Sequence, residues 1–426
     1  MNTCARIVGF ALFAAALAGS TRAEEPPRVF AHYMPWFRAE TRADGSLEWD
    51  HWQWYGKGRK HDPDTILENG RRDIASVFYP KIGPYDGRDP AVLEYHLLTA
   101  KAAGIDGFIA DWYGPGNHSD AVFGELVKAA GRYGMKVCVC LEEKSFFPGY
   151  SKAETREQVQ DVMEQHIRHV LTAYAGSPAY HRVQGQPAFF IFNNYQDGIL
   201  GKHILTPEEL TGVLNRFRDP SILFVRGYFN PAFDALVRAG YAWCGDAKTR
   251  QEFYEIGRRL ESEGLLDYWV GVASPGFDDT GVNGWGNGPR VTERRGTTEY
   301  QDNWNEVIEN QPDAVQIVTW NDFEEGTTIE PTEDYGFTFV NETEKNVGRF
   351  TGRSVDLDDN LWPLRLYRLR KTASLLDEKA RIRWNGKLDA YAEHFAQGRR
   401  FLMSFRLWYL EKRIHREQPE KESQHE

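Results

Sequence analysis

The chain has 426 residues, 41% of them hydrophobic and 27% charged, with a formal net charge of −11. That acidic balance argues against nucleic acid as a partner, because phosphate binding draws on a surplus of Lys and Arg. Its 4 cysteines are too sparse for a disulfide scaffold and lack the spacing of a zinc site.

Residues 7–18 form an apolar run after Arg6 and before the small residues Ala18-Gly19-Ser20 and Thr21-Arg22-Ala23. This is the pattern of a secretory signal peptide, cleaved after Ala23, and it predicts a periplasmic or extracellular protein. Cleavage removes Arg6 and Arg22 but no acid, so the formal charge moves from −11 to −13. Cys4 leaves as well, and Cys138 and Cys140, two apart on a predicted strand, are badly placed to bond to each other. No later segment reaches the span of about 20 apolar residues that stable membrane insertion needs.

Val29–Met34 reads as a first strand running into the rings of His32, Tyr33, Trp36 and Phe37. Residues 38–83 are polar, Gly-rich and aromatic without periodicity, which predicts a long loop that shapes a binding site. A helix follows over 90–103, capped by Asp89, then a strand over 104–110 ending in Asp111-Trp112. The alternation continues with a helix over 119–133, a strand over 136–141 ending in Glu142, a helix over 153–174, and a strand over 187–192 before Asn193 and Tyr195. Next come a helix over 207–217, a strand over 222–226, a short helix over 231–239, and a weak sixth strand over 241–244 with Trp243 and Asp246 at its end. A helix over 248–263, a strand over 268–273, a helix over 299–310 and a strand over 315–320 complete the series. Eight strands alternating with helices define an α/β chain folded as a (β/α)8 TIM barrel.

Beyond the barrel, 361–377 and 386–411 read as amphipathic helices appended to its flank, and 417–426 as a disordered tail. The predicted organisation is a leader over 1–23, a catalytic barrel over 24–345, C-terminal helices over 346–416, and the tail.

In such a barrel the residues just past each strand converge on one mouth. His32, Tyr33, Trp36, Asp111, Trp112, Glu142, Tyr195, Trp243 and Asp246 all fall there, so rings and carboxylates share a cleft. Rings pack on the C–H faces of sugars while carboxylates bond hydroxyls, so the combination points to a glycan. The eighth strand ends in Asn321-Asp322-Phe323-Glu324-Glu325. Cleavage of a glycosidic bond needs one carboxylic acid on the leaving oxygen and a second carboxylate on the other side. Asp322 and Glu325, three apart on a tight loop, suit these roles. Glu324 is expected to face solvent, and Glu330 to anchor the loop.

Several ordered motifs carry a family resemblance. Tyr79-Pro80-Lys81-Ile82-Gly83-Pro84-Tyr85-Asp86, Gly104-Ile105-Asp106-Gly107-Phe108-Ile109 with Trp112, Pro275-Gly276-Phe277-Asp278-Asp279-Thr280 and Glu325-Gly326-Thr327-Thr328-Ile329-Glu330-Pro331 resemble glycoside hydrolase family 99, the endo-acting α-mannosidases and α-mannanases. Val29-Phe30-Ala31-His32-Tyr33-Met34 and Thr319-Trp320-Asn321-Asp322 are similar to family 71, the α-1,3-glucanases. The resemblance implies that Glu325 is the general acid/base and that Asp322 stands where family 99 has a glutamate assisting the substrate's 2-hydroxyl. Aspartate there is the family 71 choice and leaves retaining and inverting routes open, since the shorter side chain widens the gap to the sugar by about 1 to 1.5 Å. The resemblance further implies substrate contacts from Trp112, Glu142, Tyr195 and Arg295, a family 71-like Trp243, and no metal or other cofactor. The expected substrate is an α-linked oligo- or polysaccharide cleaved by an endo-acting α-mannosidase or α-mannanase, the alternatives being an α-1,3-glucanase or other α-glycanase, or a non-catalytic glycan-binding barrel.

Overall fold

The computed structural model of the protein describes residues 28–142, 152–192, 205–217, 221–234, 236–353, 361–398 and 403–417. The predicted leader, Tyr195 and the tail from residue 418 onward lie outside them.

Eight strands form the barrel: β1 (Val29–Tyr33), β2 (Gly107–Trp112), β3 (Lys136–Glu142), β4 (Gln186–Phe192), β5 (Leu223–Gly227), β6 (Ala239–Tyr241), β7 (Tyr268–Ala273) and β8 (Ala314–Ile317). They pair in the order β3-β2-β1-β8-β7-β6-β5-β4, all parallel, and a β3–β4 pairing closes the ring. A strand covered on both faces reads as an unbroken apolar run, and that is how these segments read in the sequence. The sixth strand lies two residues earlier than the sequence suggests, over Ala239–Tyr241. Trp243 and Cys244 come after it.

The helices begin where short polar side chains can accept the first free N–H groups. Asp89 caps α1 (Pro90–Ala102), accepting from Ala91 at 2.8 Å. Asn117 opens α2 (His118–Tyr133), and Gly134, at φ +65°, closes it in the left-handed conformation that glycine takes without strain. Thr155 with Gln158 and Thr206 with Glu209 make reciprocal capping boxes for α3 (Arg156–Ala173) and α4 (Pro207–Leu214). The remaining barrel helices are the short α5 (Pro231–Asp234), then α6 (Ala247–Ser262), α7 (Thr298–Asn310) and α8 (Thr338–Thr351). The sequence reading placed no helix over α8.

Three further helices follow: α9 (Leu361–Ala373), α10 (Glu378–Ala396) and α11 (Met403–Arg416). The stretches 361–377 and 386–411, expected to hold amphipathic helices, are covered by these three, with the second beginning at Glu378 and ending at Ala396. α9 packs on α1, where the Arg370 guanidinium meets Glu94 at 2.8 Å and Asp389 of α10 at 2.7 Å. No helix among the described residues is long and apolar enough to cross a membrane.

The long loop after β1 is more ordered than its sequence suggests. It contains a hairpin, Arg38–Thr41 against Leu47–Asp50, and its rings form a second core. Trp36, Phe37, Trp49, Trp52 and Tyr85 are buried there around Phe323 of the loop after β8.

Candidate active site

Alternation along a strand decides which side chains reach the barrel's interior, because successive residues point to opposite faces. On β1, Tyr33 packs against Phe108 and joins His96 of α1 through its hydroxyl at 3.1 Å, so it faces the helices and His32 faces inward. On β2, Trp112 sends its indole N–H to Asp120 of α2 at 3.1 Å and lies against His166 and His169 of α3. It too is core, and its neighbours Asp111 and Tyr113 take the inward direction. Tyr33 and Trp112 are therefore not at the cleft, contrary to the sequence reading.

Two more predicted residues sit elsewhere. Asp246 is exposed and caps α6 by accepting from Thr249 at 2.8 Å. Arg295 is exposed and paired with Glu299 and Asp302, both at 2.7 Å, beside α7. The arginines near the loop of Asp322 and Glu325 are its neighbours Arg290 and Arg294. Arg294 is buried behind the loop and bonds the carbonyls of Gly326 and Thr328, while Arg290 lies 3.8 Å from Glu325.

The structure does bring His32, Trp36, Asp111, Glu142, Trp243, Asp322 and Glu325 around the mouth. His32 and Trp243 meet edge to face at 4.6 Å, and burial drives the imidazole pKa down to about 3, so His32 is neutral. The phenol of Tyr113 is held well above its ordinary value by burial and by the nearby carboxylates of Asp111, Glu142, Glu324 and Asp322. Four acids thus share one low-dielectric region with a tyrosine the sequence reading did not single out.

Asp322 is almost fully buried, with its N–H held by the Thr319 hydroxyl at 2.8 Å and one carboxylate oxygen accepting from the N–H of Glu325 at 2.9 Å. Burial first, and then the charges of Glu325 and Glu324, raise its pKa well above the usual carboxylate range. Glu325 sits at the cleft's edge, its side chain 20% exposed, and accepts the indole N–H of Trp285 at 3.1 Å. Trp285 and Arg290 come from the excursion closed by the small hairpin of Phe277–Asp278 and Val291–Thr292, which Asp279 pins by accepting from Arg290. One buried acid of raised proton affinity beside one at the solvent boundary is an arrangement suited to acid/base work.

Glu324 does not face solvent as expected. Its buried carboxylate is 2.8 Å from Nδ1 of His51 in the long loop. Glu330 is buried, accepts from the Tyr85 hydroxyl at 2.8 Å and lies 3.2 Å from His96, in keeping with an anchoring role. Among the described residues, His32, Asp111 and Cys140 each offer a buried donor atom within 4.8 Å of the others, a set able to hold a metal ion. Cys138, Cys140 and Cys244 are free thiols.

Carboxylates of unequal environment at the C-terminal end of a closed (β/α)8 barrel are what a glycoside hydrolase needs, and the comparisons with known proteins place the chain in that class. Residues 27–209 match the family model for glycosyl hydrolase family 99, and the chain is a glycoside hydrolase similar to that family over this stretch. The glycoprotein endo-alpha-1,2-mannosidase-like protein of Homo sapiens is 24% identical over 332 residues, which cover 71% of this chain and 68% of that one. The glycoprotein endo-alpha-1,2-mannosidase of Rattus norvegicus is 23% identical over 336 residues, 71% of this chain and 67% of its own. In fold, the chain is similar to the GH99 endo-alpha-mannosidase from Bacteroides thetaiotaomicron, with a TM-score of 0.59 at 21% identity over 76% of this chain and 98% of that one. Asp322 and Glu325 lie outside the 27–209 match.

Proposed function

We propose that this enzyme is an endo-acting α-mannosidase or α-mannanase, with Glu325 as general acid/base and Asp322 as the carboxylate that assists the attack. The observation that carries the reading is the pairing of Asp322, buried and with raised proton affinity, with Glu325 at the cleft's edge. A carboxylate of raised proton affinity is the better base near neutral pH, which suits Asp322 to taking a proton from the substrate's 2-hydroxyl or from water. Glu325 reaches the leaving oxygen from the solvent side. His32, Trp36, Asp111, Glu142 and Trp243 supply the sugar contacts, and the run over 7–18 directs export. The names of the curated relatives support mannose as the sugar.

A second reading, an α-1,3-glucanase, is favoured by aspartate rather than glutamate at 322. The test is a time-resolved NMR assay with α-mannan and α-1,3-glucan oligosaccharides, reading the anomer released before mutarotation. Cleavage of mannan with release of the α-anomer supports the substrate-assisted route, and the β-anomer supports water activation by Asp322. Turnover of the glucan alone would replace the mannosidase reading.

A further inference from the structure

The peptide from Asn321 to Gly326 is held at every side chain that does not face the cleft. Asn321 accepts from the Met34 N–H at 2.7 Å and donates to the Met34 carbonyl at 2.9 Å. Phe323 is fully buried among Phe37 and Trp52, and its carbonyl accepts from the Ser76 hydroxyl at 2.7 Å. Glu324, next in line, reaches His51. Asp322 and Glu325, interleaved with these three, are thereby aimed as a pair.

His51 is itself fixed. It follows the hairpin strand Leu47–Asp50, sits at φ +60°, and stacks on Trp36 at 4.8 Å and 17°. Trp36 in turn stacks on Tyr113 at 5.7 Å and 29°. A chain of contacts therefore runs from the loop of Asp322 and Glu325 through the Glu324–His51 contact to the aromatic wall of the mouth. A carboxylate as buried as Glu324 needs a partner; without one it must take up a proton or turn toward water, dragging the peptide between Asp322 and Glu325 with it.

We infer that His51 is a positioning residue for hydrolysis: by bonding Glu324 and stacking on Trp36 it sets the aim of Asp322 and Glu325 and the orientation of the Trp36–Tyr113 wall. The inference rests on the reading of Asp322 and Glu325 as the catalytic pair. Burial works against the imidazolium, but the Glu324 carboxylate outweighs it and keeps the His51 pKa raised, consistent with a charged pair.

The test uses two variants of similar size. In His51→Asn the side-chain amide nitrogen falls where Nδ1 stands, and asparagine tolerates positive φ. In His51→Gln the amide nitrogen falls near Nε2 and misses Glu324. On the oligosaccharide that the wild type cleaves, kcat of His51→Gln should fall about 100-fold, since a displacement near 1 Å costs that much, while His51→Asn should stay within about tenfold. KM should rise by several-fold at most in both, because each loses the ring stacked on Trp36, so that the kcat difference between the two variants reports the bond to Glu324. Adding Glu324→Gln to His51→Gln should produce no further loss, because the pair acts as one unit.

Equal kcat for the two His51 variants, a change confined to KM, or a multiplicative loss in the double variant would overturn the inference. A fall in melting temperature with kcat unchanged would do the same, by reducing His51 to a structural role. Asp322→Asn and Glu325→Gln are measured alongside. If they keep activity, the catalytic reading itself fails; if they lose it and His51→Gln does not, the positioning role alone fails.

Discussion

Arg294 offers the sharpest test of how the catalytic loop is held. Its buried guanidinium donates to the carbonyls of Gly326 at 2.9 Å and Thr328 at 2.8 Å, between the rings of Phe78 at 4.3 Å and Phe339 at 4.4 Å. Burial pulls its pKa down to about 10, so it is still charged at neutral pH. Arg294→Met keeps much of the packing between the rings but leaves two main-chain carbonyls without a donor, at about 1 to 3 kcal/mol each, or roughly 4 kcal/mol together. With an unfolding entropy of about 2 cal/mol/K per residue over a chain of this length, that corresponds to a fall of roughly 4 to 5 °C in melting temperature. The same loss frees the backbone just after Glu325, so kcat should fall at least about tenfold by misplacement of the acid. Differential scanning calorimetry and initial rates check both. A melting temperature within about 1 °C of wild type together with unchanged kcat would refute the idea that Arg294 braces the loop.

Glu325→Gln should lower kcat by about 10² to 10⁴ with little change in melting temperature, as measured by initial rates on the preferred oligosaccharide. Asp322→Asn should be inactive yet more stable than wild type at neutral pH. The carboxyl's folded pKa is raised above its unfolded value, so the charged form opposes folding above the folded pKa, and the variant's advantage should shrink as pH falls through that value and vanish below the unfolded one. Calorimetry of both proteins across acidic to neutral pH tests the sign. Trp112→Phe should lower stability by about 1 kcal/mol through the lost bond to Asp120, and leave KM unchanged because the ring faces the helices. A several-fold rise in KM would return Trp112 to the cleft.

The barrel was legible because its strands are covered on both faces and so read as unbroken apolar runs separated by helices with recognisable caps. The same property hid side-chain direction. In a run without polar alternation nothing marks which residues turn inward, so Tyr33 and Trp112 were grouped with His32 and Asp111 although each pair points to opposite faces. Counting by two from Asp111 would have found Tyr113. Asp322 and Glu325 stood out because acids at a strand's end are conspicuous. The partners that tune them were not legible, since His51 lies 273 residues from Glu324 in the chain, and an isolated histidine in a polar loop carries no mark of its partner. The sixth strand was misplaced because it has only three residues.

The clamp on Asn321 has a consequence for how an active molecule comes into being. Met34 and Asn321 are 287 residues apart, and the pair of hydrogen bonds between them stitches the reactive loop across the seam where the first strand meets the last. During synthesis the first strand leaves the ribosome long before its partner exists, and no growing chain that stops short of β8 carries either acid. Catalytic competence therefore arrives late, with closure of the ring. If Asp322 and Glu325 are the catalytic pair as proposed, two fragments divided between β4 and β5 should be inactive apart and regain activity only on reassociating.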